Sequence, residues 1–83
     1  MRIVVLADEV TVERRVELRE HVWWDAPVVG PVLAQVSAHG APMAARLDEA
    51  GNLTWGESQR RVAPGQSVVF YADDAVVGGA IAV

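Results

Sequence analysis

The sequence contains no cysteine and no lysine, and it has few aromatic residues and no long apolar run. Without cysteine there is neither a disulfide framework nor a thiolate metal site, which fits a cytoplasmic protein. No segment approaches the ~20 apolar residues of a membrane-spanning helix. The first apolar run ends at Asp8 and Glu9 without a small-residue cleavage site, so we expect neither a signal peptide nor membrane contact.

Positive charge is also scarce. The 11 acidic residues outnumber the 7 arginines, which gives a net charge of −4, and no part of the chain is net basic. Nucleic-acid binding gains most of its affinity from the neutralisation of phosphates. RNA is therefore an alternative partner that the charge disfavours.

The apolar residues that are present favour strands. Hydrophobic residues make up 52% of the 83 positions and are mainly Val and Ala, and branched Val packs well on a pleated sheet. Short alternating segments are separated by turns rich in Gly, Pro, Asn and Asp. This pattern predicts an all-β fold, a small closed antiparallel β-barrel of about six or seven strands. We expect residues 1–83 to form a single domain.

The longest alternating segment runs from residue 10 to residue 24. Arg14 and Glu20 interrupt its apolar side, which predicts a bulge or a sheet edge near either of them. A helix over 11–21 is an alternative, because Glu and Arg are good helix formers, but the length of the alternation favours a strand. Residues 57–61 are interpreted as a polar connection. Further strands are predicted over residues 2–7, 32–39, 43–47 and 53–55, with a hairpin turn over 48–52. The apolar side of the long segment is expected to hold Val10, Val12, Val16, Leu18, Val22 and Trp24.

The last third of the chain carries the clearest signals. Pro64 and Gly65 predict a type II turn, because proline fixes φ and glycine supplies the left-handed position. A strand over 66–71, a turn at Asp73-Asp74 and a final strand from Val76 follow. Two glycines inside that strand, Gly78 and Gly79, mark a bulge or a close approach of backbone.

This ending resembles the end of the C-terminal barrel of bacterial tRNA-specific 2-thiouridylases. In that family the barrel helps to hold tRNA and is not catalytic, and its Pro-Gly-Gln element is similar to one in translation-factor barrels. The family's catalytic cysteines have no counterpart here, and neither do the basic residues of its central strand, which would fall at 34–39. The resemblance implies a non-catalytic accessory or binding module that acts through a protein partner. The matching residues are Arg61, Val62, Pro64, Gly65, Gln66, Val69, Phe70, Tyr71, Val76, Val77, Gly78, Gly79 and Ile81, with a looser likeness at 18–24.

Candidate binding residues are aromatic, basic or histidine side chains. In a strand, Trp23 and Trp24 must face opposite sides, so one of them belongs to the core. An exposed Trp23 beside Trp55 or Tyr71 would form a stacking platform for a flat ligand. No catalytic residue, metal site or cofactor is predicted. The complete set is His21, Trp23, Trp24, His39, Trp55, Arg60, Arg61 and Tyr71.

Two further possibilities follow from the barrel itself. A small-molecule-binding barrel, for example a cyclase or isomerase of a biosynthetic pathway, would need an apolar pocket with a few convergent polar groups. A homodimer would cover the exposed strand edges of a small barrel.

Overall fold

Every regular element of the described chain is a β-strand. The computed structural model describes residues 12–36 and 40–83. All strand pairs are antiparallel, and the sheet order is β1-β5-β4-β3-β6-β7-β2. The predicted all-β antiparallel fold is confirmed, whereas the strand predicted over 2–7 lies outside the described residues. The strands are β1 (Val12–Val16), β2 (Leu18–Trp23), β3 (Gly30–Val36), β4 (Met43–Leu47), β5 (Leu53–Arg60), β6 (Ser67–Ala72) and β7 (Ala75–Ala82).

The two edge strands of this sheet, β1 and β2, are neighbours in the chain. Only Glu17 separates them, so the sheet curls until its edges meet at this corner. The backbone N–H of Val83 donates to the carbonyl of Glu17 at 2.9 Å and ties the chain end to the corner. One bent N-terminal strand thus pairs with β5 through its first half and with β7 through its second, which gives the sheet the curl of a barrel.

The core lies inside this curl. Along β3 and β6, buried and more exposed residues alternate, as expected for strands with one face toward the core. No polar or charged side chain is fully buried in the part of the chain that the structure describes. The buried residues are Val16, Leu18, Val32, Ala34, Ala45, Leu47, Leu53, Trp55, Val62, Val68, Phe70, Ala80 and Ala82.

The bulge predicted near Glu20 is present and reverses the expected orientation of the residues after it. Arg19 pairs with Ile81 and Val22 with Gly79, so β2 has one residue more than β7 in this interval. Glu20 adopts a positive φ of 57°. The extra residue turns the following side chains over. The prediction that Val22 and Trp24 share the inner side with Leu18 is therefore wrong: both are exposed.

A bulge is also present at Arg14, and it lies in the partner strand β5. Between its pairings with Glu13 and Arg15, β5 has four residues, 55–58, against Arg14 alone. The Arg14 guanidinium donates to the carbonyls of Trp55 at 3.2 Å and Gly56 at 3.1 Å. Arg14 thus bonds two carbonyls within the bulge. The prediction that 57–61 is only a connection is wrong, because β5 continues to Arg60.

The C-terminal hairpin forms as its turn residues predict. Gly65 has a φ of 90°, and the Gln66 N–H donates to the Ala63 carbonyl at 3.2 Å across the predicted type II turn. Gly78 is a point of close approach, because a Cβ there would lie 2.6 Å from the Val22 carbonyl oxygen. The close approach of backbone predicted at the two glycines of β7 is thus confirmed, since a Cβ at Gly79 would also lie 3.1 Å from the Val68 carbonyl oxygen.

Candidate binding surfaces

The candidate residues do not form a single site. One group points into the barrel, a second lies on the outside of the sheet, and a third surrounds a pocket. His39 lies outside the described residues. The groups are His21 with Trp23, Trp24 with Tyr71, and Trp55 with Arg60 and Arg61.

The inward group is an aromatic stack. Trp23 packs on Phe70 with ring centroids 5.5 Å apart and on His21 with centroids 5.7 Å apart. Nε2 of His21 lies 2.6 Å from the Gly51 carbonyl oxygen, in hydrogen-bond contact. The idea of an exposed Trp23 as a stacking platform is wrong, because its ring is engaged by these contacts. Trp24 holds the exposed position instead.

Replacing Gly51 by alanine is expected to destabilise the fold. Gly51 has a φ of 87°, and a Cβ there would lie 2.6 Å from Nε2 of His21. Backbone strain of this kind costs about 1–3 kcal/mol, and displacement of the His21 ring adds to it. Urea denaturation of Gly51→Ala would measure the loss in the free energy of unfolding.

A double-mutant cycle separates the two causes. In a His21→Ala background the collision is absent, so Gly51→Ala should cost only the backbone strain of about 1–3 kcal/mol. Equal costs in the two backgrounds would show that the His21 ring does not press on Gly51.

The outward group belongs to what we call the outer apolar face. Across the sheet, Leu33 pairs with Tyr71, and Tyr71 with Val76. In the adjacent row Val69 pairs with Gly79, which pairs with Val22. The face is formed by Val22, Trp24, Leu33, Val69, Tyr71 and Val76.

The most exposed part of this face is on β2 and the turn after it. Trp24 is 86% exposed and Val22 is 71% exposed. The Trp24 N–H donates to the Val77 carbonyl at 3.0 Å, which fixes the backbone of Trp24 beside β7. The Tyr71 hydroxyl donates to Oε1 of Gln35 at 2.9 Å. Two large apolar side chains are thus presented to solvent from a hydrogen-bonded backbone.

The third group surrounds a pocket at one end of β3, β4 and β5. Its volume is about 490 Å³. Trp55 is 3% exposed, and its indole Nε1 has no hydrogen-bond partner among the described residues. The lining residues are Ala34, Val36, Gly40, Ala41, Met43, Trp55, Gln59, Arg60, Arg61, Val62, Ala63 and Gln66. The sequence suggested each of Trp55, Arg60 and Arg61 as a binding residue, but not that they line one pocket.

Two structural findings bear on other kinds of site. Over residues 12–36 and 40–83, no three His, Asp or Glu side chains come close enough together to hold a metal ion. No helix in the same residues is long and apolar enough to cross a membrane.

Comparison with known proteins identifies the type of barrel. Residues 14–82 match the family described as the aminomethyltransferase β-barrel domain, and the match covers all seven strands apart from the first residues of β1. The chain belongs to this family. In this aminomethyltransferase-type barrel the matched range includes the outer apolar face and the pocket.

Relatives of this barrel domain include tRNA-specific 2-thiouridylases. The enzyme from Roseiflexus sp. is 42% identical over 62 residues, which are 70% of this chain and 16% of that protein. The enzyme from Prochlorococcus marinus is 44% identical over 55 residues, 63% of this chain and 13% of the relative. The barrel domain therefore spans less than a fifth of these relatives, and it is a barrel of the thiouridylase C-terminal type. No solved structure matches it significantly.

Proposed function

We propose that this barrel is a non-catalytic binding module of tRNA modification that docks on a protein partner through its outer apolar face. The observation that carries the proposal is the exposure of Trp24 and Val22, at 86% and 71%. Contiguous exposed apolar side chains are typical of interaction sites. Tryptophan is also among the residues that contribute most to binding energy when an interface covers them.

The charges around the face favour a protein over RNA. Asp25 follows Trp24 directly, and the turn between β6 and β7 places Asp73 and Asp74 just before Val76. Carboxylates beside the face would repel phosphates and attract a basic rim. The partner that fits is a protein with an apolar depression surrounded by arginine or lysine.

Membership of this family supports the proposal that the partner takes part in tRNA modification. The relatives named tRNA-specific 2-thiouridylases match this chain over 10–16% of their own length. In this chain the matched residues are those of the barrel. We infer that the barrel supplies binding to a system whose chemistry is carried out by its partner.

Substitution on the face should weaken partner binding without affecting the fold. Trp24→Ser and Val22→Ser each remove exposed apolar contact, so the thermal midpoint should stay nearly unchanged. Loss of a residue central to an interface costs about 2 kcal/mol, or about 30-fold in affinity. Affinity capture from the source cells, with mass spectrometry, would identify the partner, and calorimetry with the purified partner would measure the affinity.

A matched control is available in Val83. It is 56% exposed, similar to Val22, but follows β7 at the Glu17 corner, away from the face. Val83→Ser should bind the partner normally. Equal retention by all variants, or a retained protein unrelated to tRNA modification, would contradict the proposal. So would tRNA binding at low salt that weakens steeply as salt rises, since that signature belongs to phosphate contacts.

Sedimentation of the purified chain tests whether a second copy of the same chain covers the outer apolar face. A concentration-dependent dimer that Trp24→Ser abolishes and Val83→Ser preserves would show that a second copy covers the outer apolar face. That result would replace the partner protein with a homodimer. A monomer at all concentrations leaves the face open for a different protein.

A further inference from the structure

The pocket bounded by β3, β4, β5 and the loop after β5 is separate from the outer apolar face. We propose that it binds a small organic oxyanion, an apolar body that carries a carboxylate or a phosphate group. Its volume of about 490 Å³ is in the range of small-molecule sites, roughly 300–1,000 Å³. The proposal does not depend on the docking function, since none of the residues of the outer apolar face lines the pocket.

The buried indole N–H of Trp55 is the first observation that points to a ligand. Trp55 is 3% exposed and lines the pocket, and its Nε1 is the one buried side-chain nitrogen or oxygen without a partner in 12–36 and 40–83. Buried polar atoms are ordinarily hydrogen-bonded, so an unpaired donor at a cavity calls for an acceptor. Indole N–H can only donate. An oxygen of the ligand would supply the hydrogen-bond acceptor that the described residues do not provide.

The charge of the lining is the second observation. Arg60 and Arg61 line the pocket, whereas no lining residue that the structure describes carries a carboxylate. The ion pairs recorded in the described part of the chain involve Arg15 and Arg19. Within residues 12–36 and 40–83 neither Arg60 nor Arg61 forms an ion pair, although Arg61 also borders a second cleft lined by Glu13 and Glu17. Arginine offers a planar set of donors that suits carboxylate and phosphate oxygens.

The bulge in β5 brings the indole and the two arginines to one cavity. Four residues of β5, from Trp55 to Ser58, bulge out opposite Arg14 between the paired residues Thr54 and Gln59. Arg14 holds the bulge through the carbonyls of Trp55 and Gly56. Beyond it the Val62 N–H donates to Oε2 of Glu13 at 3.3 Å, which fixes the chain just after Arg61. The contacts of Arg14 and Glu13 thus fix the backbone around Trp55 and Arg61. The indole and guanidinium groups themselves are not used in these contacts.

The rest of the lining suits an apolar body. Ala34 and Val62 are buried, and Val36 packs against the core. Met43, which is 42% exposed, adds a flexible thioether side chain to the wall. A flat or branched hydrocarbon would contact these side chains while its oxyanion meets the donors. This pairing of surfaces favours an amphipathic anion over a bare inorganic one.

Titration followed by nuclear magnetic resonance tests the proposal directly. The chain has 3 tryptophans, so a ¹⁵N-labelled sample gives one indole N–H signal for each, and Trp55→Phe assigns the relevant one. The probes are 2-naphthoate, 2-naphthyl phosphate and the neutral 2-naphthamide. We expect at least one anion to shift the Trp55 signal. The neutral amide should bind with an affinity at least about tenfold lower. The tighter anion identifies the headgroup.

Two variants show whether the arginines take part. The double variant R60Q/R61Q should weaken binding of the anion about tenfold or more, whereas the exposed Arg46→Gln on β4 should leave it unchanged. The signal of Trp23, whose ring packs on Phe70, reports whether each variant is folded. A Trp55 signal unmoved by millimolar anion, equal binding of the amide, or equal binding by R60Q/R61Q would overturn the proposal.

Discussion

Replacing Phe70 by alanine is expected to remove much of the folding stability of this barrel. Phe70 is fully buried at 0% exposure and lies between Ala34 and Gly78 in the pairing across β3, β6 and β7. It also stacks on Trp23 at 5.5 Å. Truncation of a buried phenylalanine costs about 3–5 kcal/mol. The total free energy of unfolding of a domain of this size is only about 4–12 kcal/mol.

Urea denaturation at equilibrium measures this loss, and Tyr71→Phe is the matched control on the next residue. Tyr71 faces outward, and its substitution removes only the hydroxyl bonded to Gln35, a change of about 1 kcal/mol. We expect a large fall in the denaturation midpoint for Phe70→Ala and a small one for Tyr71→Phe. A loss for Phe70→Ala no greater than that for Tyr71→Phe would show that the core is not centred on this side chain.

The second large effect is expected from a single added methyl group at Gly78. A Cβ at this position would lie 2.6 Å from both Cε3 of Trp23 and the carbonyl oxygen of Val22. The Trp23 ring is held by its stack on Phe70, and a backbone carbonyl of a paired strand cannot move alone. Overpacking of this kind costs about 1–3 kcal/mol, occasionally more. Gly78→Ala should therefore lower the thermal midpoint markedly.

Gly56→Ala is the control for this substitution. A Cβ at Gly56 would have its nearest neighbour at 3.4 Å, at the close limit of ordinary contact. It also lies within a strand, so both variants change backbone entropy in the unfolded chain in the same sense. We expect Gly56→Ala to be close to neutral. If Gly78→Ala were equally neutral, β2 and β7 would not approach each other as the structure places them.

The turns of the C-terminal hairpin could be predicted from sequence because their causes are local. A Pro-Gly pair dictates the backbone of its own turn, and Gly65 has the positive φ that this requires. Gly78 was identified in the same way, since a glycine inside a strand indicates close backbone approach. These signals need no knowledge of the partner strand.

The sequence could not show which of Trp23 and Trp24 is exposed. The answer depends on whether β2 has an extra residue opposite β7, and the sequence does not reveal this. Glu20 marks an interruption, but the pattern does not say whether the interruption adds a residue. In the structure it adds one, with a φ of 57° at Glu20. That residue turns Trp23 onto Phe70 and leaves Trp24 in solvent. The outer apolar face is thus a consequence of the bulge.

The pocket escaped prediction for a similar reason. Trp55 was expected to end a short strand, and Arg60 and Arg61 were expected in a connection. Trp55, Arg60 and Arg61 line one pocket because β5 contains the bulge of four residues that Arg14 stabilises. The sequence shows Arg14 as an interruption of an apolar side, but the length of chain opposite it becomes evident only from the pairing of β1 with β5.

Site-specific photo-crosslinking tests the docking proposal most directly. A photoreactive phenylalanine analogue would replace Trp24 on the outer apolar face or, as a control, the exposed Arg46 on β4, three strands away from β7 in the sheet. Irradiation in the source cells is expected to join position 24, but not position 46, to a protein of tRNA modification. No crosslink at position 24, equal crosslinking at both positions, or a partner outside tRNA modification would contradict the account.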